Sequence, residues 1–183
     1  MGNKLFFLIL GATVPGRHTE QHDVFFGIGD SLKDLLPQIE KAWPNAKVHI
    51  DSWREVNTVN GNAVKIIAKT NTVDSNSKLF FLNLGGYKPN DMEEYHYKLL
   101  AVAKDKGEAV QQAKQTAFYL HTGFKGATSH IDDKYGVDVD DVYQIEDILP
   151  QYLKEQFTIL IEPGSNTTED ELHIGYVKLS SLS

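Results

Sequence analysis

Apolar positions along the chain fall into short runs with two different periods. Residues 5–10, Leu-Phe-Phe-Leu-Ile-Leu, are apolar without interruption and predict a strand buried on both faces. Residues 20–28 predict a second strand, in which Glu20, His22, Val24, Phe26 and Ile28 share one face because strand side chains alternate. The period then changes. Asp30-Ser31 offers a helix N-cap, and Leu32, Leu35, Leu36, Ile39 and Trp43 form a stripe at helical spacing. Pro37 interrupts that stripe and predicts a kink or a delayed regular helix, because it lacks a backbone donor. Residues 47–59 read as a third strand, and Asn60-Gly61 signals a type I′ hairpin into Val64-Lys65-Ile66-Ile67.

This order recurs further along. Shifting the chain by 74 residues lays Lys4–His22 over Lys78–His96 with ten identities in nineteen positions, among them Pro15 on Pro89, Glu20 on Glu94 and His22 on His96. A helix is predicted from about Lys106 to Tyr119, with Asp105 and Glu108 in a capping-box arrangement. His49-Ile50-Asp51 matches His130-Ile131-Asp132 at a shift of 81, with the seven extra residues placed in the stretch 119–126. Val137-Asp138-Val139 suggests a short strand. Residues 157–161 and 172–177, joined by a polar turn, resemble a closing hairpin.

The expected fold class is α+β, with two tandem strand-strand-helix-strand(-strand) half-units forming one pseudo-two-fold compact unit. The halves are residues 1–69 and 78–183, the second carrying the C-terminal hairpin, and residues 70–77 are a polar linker. A unit of either size buries too little apolar surface to be secure alone, so a shared core is expected.

Composition narrows the chemistry. With no cysteine, disulfides, thiolate metal sites and thiol nucleophiles are excluded, which leaves His, Asp and Glu for metal or acid-base work. The net charge of −7 argues against nucleic acid and anionic membrane as partners. The six-residue run at 5–10 is too short for a signal peptide core and recurs internally, so a cytoplasmic, soluble protein is expected. A homodimer is a natural way to cover the short sheet edges.

Polar residues repeated at matched places are the candidates for function. Glu20 with His22, and Glu94 with His96, are two residues apart on strands and face the same way; His49 with Asp51, and His130 with Asp132, have the same spacing. Two imidazoles and two carboxylates per half can bind a small molecule, hold a first-row transition metal through His22, His49, His96 or His130, or position acid and base. The same groups can equally pin a loop to a strand by hydrogen bonds alone. Arg17, in the turn after Val14-Pro15-Gly16, could help hold an anion, although a surface turn explains that segment as well. No phosphate loop, nucleophile elbow or His-Glu-x-x-His helix is present, so no catalytic motif decides between enzyme and binding module, and no cofactor is identified. The acidic run from Asp132 to Asp141 fails EF-hand spacing and reads as a solvated edge.

Leu10-Gly11-Ala12, Pro15-Gly16, Glu20-x-His22 and His49-x-Asp51, repeated as Leu84-Gly85-Gly86, Pro89, Glu94-x-His96 and His130-x-Asp132, resemble the domain of unknown function 1543 family. The resemblance implies a small protein of a family without an established activity. Ala12 and Asn90 depart from its glycines, so the two loops need not bind the same thing.

Overall fold

A computed structural model describes residues 2–69, 76–87, 90, 92–115, 137–164 and 168–182. The secondary structure is mixed and strand-rich, of the α+β class. The chain divides into two units, one made of Met1–Val73 with Leu149–Ser183 and the other of Asp74–Ile148. Among the described residues no helix is long and apolar enough to cross a membrane.

In the first unit, β1 (Lys4–Thr13) lies between β2 (Gln21–Gly29) and β3 (Lys47–Glu55), all antiparallel. Alternation sends Phe6, Leu8 and Leu10 to one face, where they bury Phe25, Leu35, Ile39 and Ile50. The opposite face begins with Phe7 stacked on Phe26 and leads to Gly11. A 3-10 turn over Leu32–Leu35 precedes helix α1 (Leu36–Ala42) and covers the core. Pro37 therefore kinks nothing. It sits in the first turn of α1, where no intrahelical donor is needed. The Asn60-Gly61 turn between β4 (Thr58–Val59) and β5 (Asn62–Ala68) has φ of 49° and 73°, as a type I′ hairpin requires.

The C-terminal strands do not form the hairpin that the sequence suggests. β9 (Phe157–Pro163) pairs with β5, and β10 (His173–Lys178) pairs with β3, so both complete sheets of the first unit rather than extending the second. β5 and β3 each offered an open edge, and pairing with them satisfies the backbone groups of β9 and β10. Asp170, between these strands, accepts from the backbone N–H groups of Asn57 and Thr58 at 2.9–3.1 Å.

In the second unit, β6 (Lys78–Tyr87) lies between β7 (Glu94–Ala103) and β8 (Val137–Gln144), and helix α2 (Lys106–Ala113) covers one face. The predicted continuation of the helix to residue 119 lies partly outside the described residues. Pairing reproduces the first unit residue for residue: Gly11 faces His22 as Gly85 faces His96. Gln38 Nε2 donates to Ile28 O at 2.8 Å, and Gln112 Nε2 donates to Val102 O at 3.0 Å, again 74 residues on. Helix-starting contacts match too, with Asp30 N donating to Asp34 and Lys104 N to Glu108.

Packing differs in one informative place. A Cβ on Gly27 would stand 2.8 Å from Leu35 Cδ2, so a large helix residue needs a bare strand backbone beneath it. In the second unit the same positions are Ala101 and Ala109, both buried. The strand position gains a methyl where the helix position loses most of its side chain, so the two positions vary together.

Candidate functional site

Each three-stranded set carries a β-bulge on its third strand. The register of β3 against β1 shifts between Ile9 and Leu10, and that of β8 against β6 shifts between Asn83 and Leu84. A bulge inserts one unpaired residue and re-aims its side chain. In the first unit that residue is Asp51; in the second it is Asp140.

Around Gly11 the structure brings together all four candidates of the first half. His22 Nε2 lies 3.6 Å from Glu20 Oε2 and 3.3 Å from Asp51 Oδ2. His49 Nε2 lies 3.4 Å from Glu20 Oε1 and 3.0 Å from Asp51 Oδ1. Each carboxylate thus divides its two oxygens between two imidazoles. Gly11 makes this possible, because a Cβ there would stand 2.5 Å from His49 Nε2 and 3.0 Å from Asp51 Oδ2. His49 has only 6% of its side chain exposed, against 50% for His22. Tyr176 of β10 covers it, ring to ring at 4.3 Å, while His173 stacks on Trp53 at 3.8 Å. β10 reaches this position through a register shift around Gly175, whose φ of 139° favours glycine.

Around Gly85 the arrangement is simpler. Glu94, His96 and Asp140 place one donor atom each within 4.8 Å of one another, with His96 Nε2 at 3.3 Å from Asp140 Oδ2. A Cβ on Gly85 would stand 2.7 Å from Glu94 Oε1 and closer still to Asp140 Oδ2. His130 and Asp132 lie outside the described residues. The β8 positions that correspond to His49 and Asp51 are Asp138 and Asp140, a shift of 89 rather than 81. The strand register therefore matches His49-Ile50-Asp51 with Asp138-Val139-Asp140, a correspondence that a tripeptide match does not reveal because the loop length between is unconstrained. Asp140, within a run that reads as a solvated edge, is the residue this missed.

Arg17 closes a β-turn, its N–H donating to Val14 O at 3.2 Å with Gly16 at φ 80°. It joins neither carboxylate cluster. Arg17 and His22 do line one open cavity of ≈470 Å³, with Val14, Gln21, Trp43 and Pro44.

Chemically, imidazole N–H groups can bridge to the carboxylates in each cluster, and a cation can bind among the same atoms. One N–H per imidazole can be offered to the oxygens around it, whereas a cation accepts from every donor at once. Donors about 2.0–2.2 Å from a tetrahedral centre sit roughly 3.3–3.6 Å apart. Around Gly11 the four nitrogen–oxygen separations of 3.0–3.6 Å each end on a different carboxylate oxygen, whereas Glu94, His96 and Asp140 bring one atom each within 4.8 Å of one another.

Residues 17–66 match the family model described as Domain of Unknown Function (DUF1543). The DUF1543 match contains Arg17 and all four donors of the first unit, while the motif around Gly85 lies outside it. The chain is also similar in fold to protein Il1583 from Idiomarina loihiensis, whose crystal structure aligns over 97% of each chain at 23% identity with a TM-score of 0.67. No curated protein matches the chain.

Proposed function

We propose that this protein binds divalent metal at two centres built over Gly11 and Gly85, in a chain formed by duplication of one strand-strand-helix-strand unit. One observation carries the reading. In both sheets a central-strand glycine leaves room for a Glu-x-His pair from one neighbour and a bulged Asp from the other, and at Gly85 the three donors converge within 4.8 Å. Glycine is favoured in neither case by its backbone angles; it is needed because polar side chains occupy the space of its Cβ.

Elemental analysis of untagged protein tests the reading. Stoichiometric zinc, manganese or iron is expected, lost in a His22→Ala/His96→Ala double variant. Metal repletion should raise the melting temperature of the wild type and leave that variant unmoved. Absence of bound metal under repletion, with both substitutions merely lowering stability, would assign the clusters to holding strands together.

A second reading, binding of a small anionic molecule beside the first centre, is favoured by the cavity that Arg17 and His22 share. An Arg17→Ala variant should then lose stabilisation by phosphate or small carboxylates while retaining metal.

A further inference from the structure

We propose that the cluster over Gly11 is a binuclear centre, holding two divalent first-row ions side by side with Glu20 and Asp51 bridging them. This rests on the metal-binding reading above and gives its first centre a stoichiometry.

The contacts around Gly11 fall into two sets. His22 Nε2 faces Glu20 Oε2 at 3.6 Å and Asp51 Oδ2 at 3.3 Å, whereas His49 Nε2 faces Glu20 Oε1 at 3.4 Å and Asp51 Oδ1 at 3.0 Å. One tetrahedral ion shared by all four residues takes a single oxygen from each carboxylate, and that oxygen is then the near neighbour of both nitrogens. Here the oxygen nearest His22 and the oxygen nearest His49 are different atoms, on Glu20 and on Asp51 alike. Each imidazole thus stands with two oxygens of its own, a three-donor set of the kind that keeps a position open for water. A carboxylate that gives one oxygen to each of two ions suits a separation of about 3.5–4 Å, the spacing of two-metal sites.

Hydrogen bonding uses less of this geometry. A neutral imidazole has one N–H to aim at one of the two oxygens beside it, whereas an ion on that nitrogen engages both.

The two positions are unequal. His49 is buried under the ring of Tyr176, while His22 and Glu20 are exposed. The ion on His49 is therefore enclosed and tightly held, and the ion on His22 stands at the surface with its remaining positions open to water. Two divalent ions carry more positive charge than Glu20 and Asp51 offset, and a metal-bound water that loses its proton reduces the excess.

Full-length protein carrying Glu94→Gln/Asp140→Asn, near-isosteric changes that disable the second centre, is stripped of metal and titrated with manganese by equilibrium dialysis and paramagnetic resonance. Two ions per chain are expected, the second bound at least about tenfold more weakly than the first, with an exchange-coupled signal at saturation. Adding His22→Ala to this background should leave one ion and an uncoupled signal, with melting curves confirming that each variant is folded. One ion per chain before that change, or two without coupling, would overturn the pair and leave metal binding standing. No ion on this background would also overturn the pair, and none on the wild type would overturn the metal-binding reading with it.

Discussion

The Gly11 and Gly85 centres share a register, a bulge and a glycine floor, yet they are finished differently. At Gly11 a fourth donor, His49, is held under Tyr176 by a strand from the far end of the chain. At Gly85 the described residues bring together Glu94, His96 and Asp140, none of them as buried as His49. The comparison teaches that the geometry of a strand triplet sets where polar groups converge, while the residue paired with the glycine, His49 in one case and Asp138 in the other, differs between them.

Gly11→Ala should disrupt this comparison most. The new Cβ meets a buried imidazole that cannot swing aside, so zinc affinity at the first centre should fall about 100-fold. Gly85→Ala meets the carboxylates of half-buried Glu94 and exposed Asp140, less enclosed than His49, and titration should show a loss nearer tenfold at the second centre. Equal losses would mean that burial of His49 is not what distinguishes them.

Core packing offers a sharper contrast. Leu35→Ala should cost about 2–5 kcal/mol of unfolding free energy, and Gly27→Ala about 1–3 kcal/mol through overpacking. The double variant recreates the Ala101–Ala109 pairing of the second unit and should recover part of the summed loss, measurable as a coupling of roughly 0.5–3 kcal/mol in denaturant titrations. Additive losses would show that the two positions do not compensate each other.

Cleavage within residues 70–77 tests how the strands are shared. The fragment beginning near residue 78 carries β9 and β10, which pair with β5 and β3 of the other fragment. Both fragments should therefore elute together on gel filtration, and separation without denaturant would contradict those pairings.

Smallest of all is the glutamine pair. Gln38 both donates to Ile28 O and accepts from Ile28 N at 3.4 Å, while Gln112 Oε1 is buried with no hydrogen-bond partner. Replacement by Met should cost about 1–2 kcal/mol at Gln38 and less at Gln112, since one unsatisfied acceptor disappears there.

Much of the first unit was legible in the residues. The uninterrupted run at 5–10, the helical stripe from Leu32 and the Asn60-Gly61 turn became β1, the Leu32–Ala42 helical segment and the β4–β5 hairpin, because each obeys a local period or turn rule. Glu20, His22, His49 and Asp51 were identifiable as a set for the same reason, two-residue spacing on strands. Asp140 was not. Its role depends on which residue of β8 falls beside the bulge, and pairing register is not encoded in spacing across a loop of unfixed length.

By itself, then, the sequence determined β1 and β2, the helical stretches that begin near Leu32 and Lys106, the Asn60-Gly61 turn, the repeated Glu-x-His pairs and the lack of any thiol chemistry, all of which follow from local periodicity and composition. Tertiary structure alone decided that β9 and β10 return to the first unit, that Asp140 stands with Glu94 and His96 beside Gly85, and that Tyr176 covers His49. Those are matters of long-range pairing, in which competing sheet edges and bulge positions differ little in local preference and are settled only by the burial of the whole face.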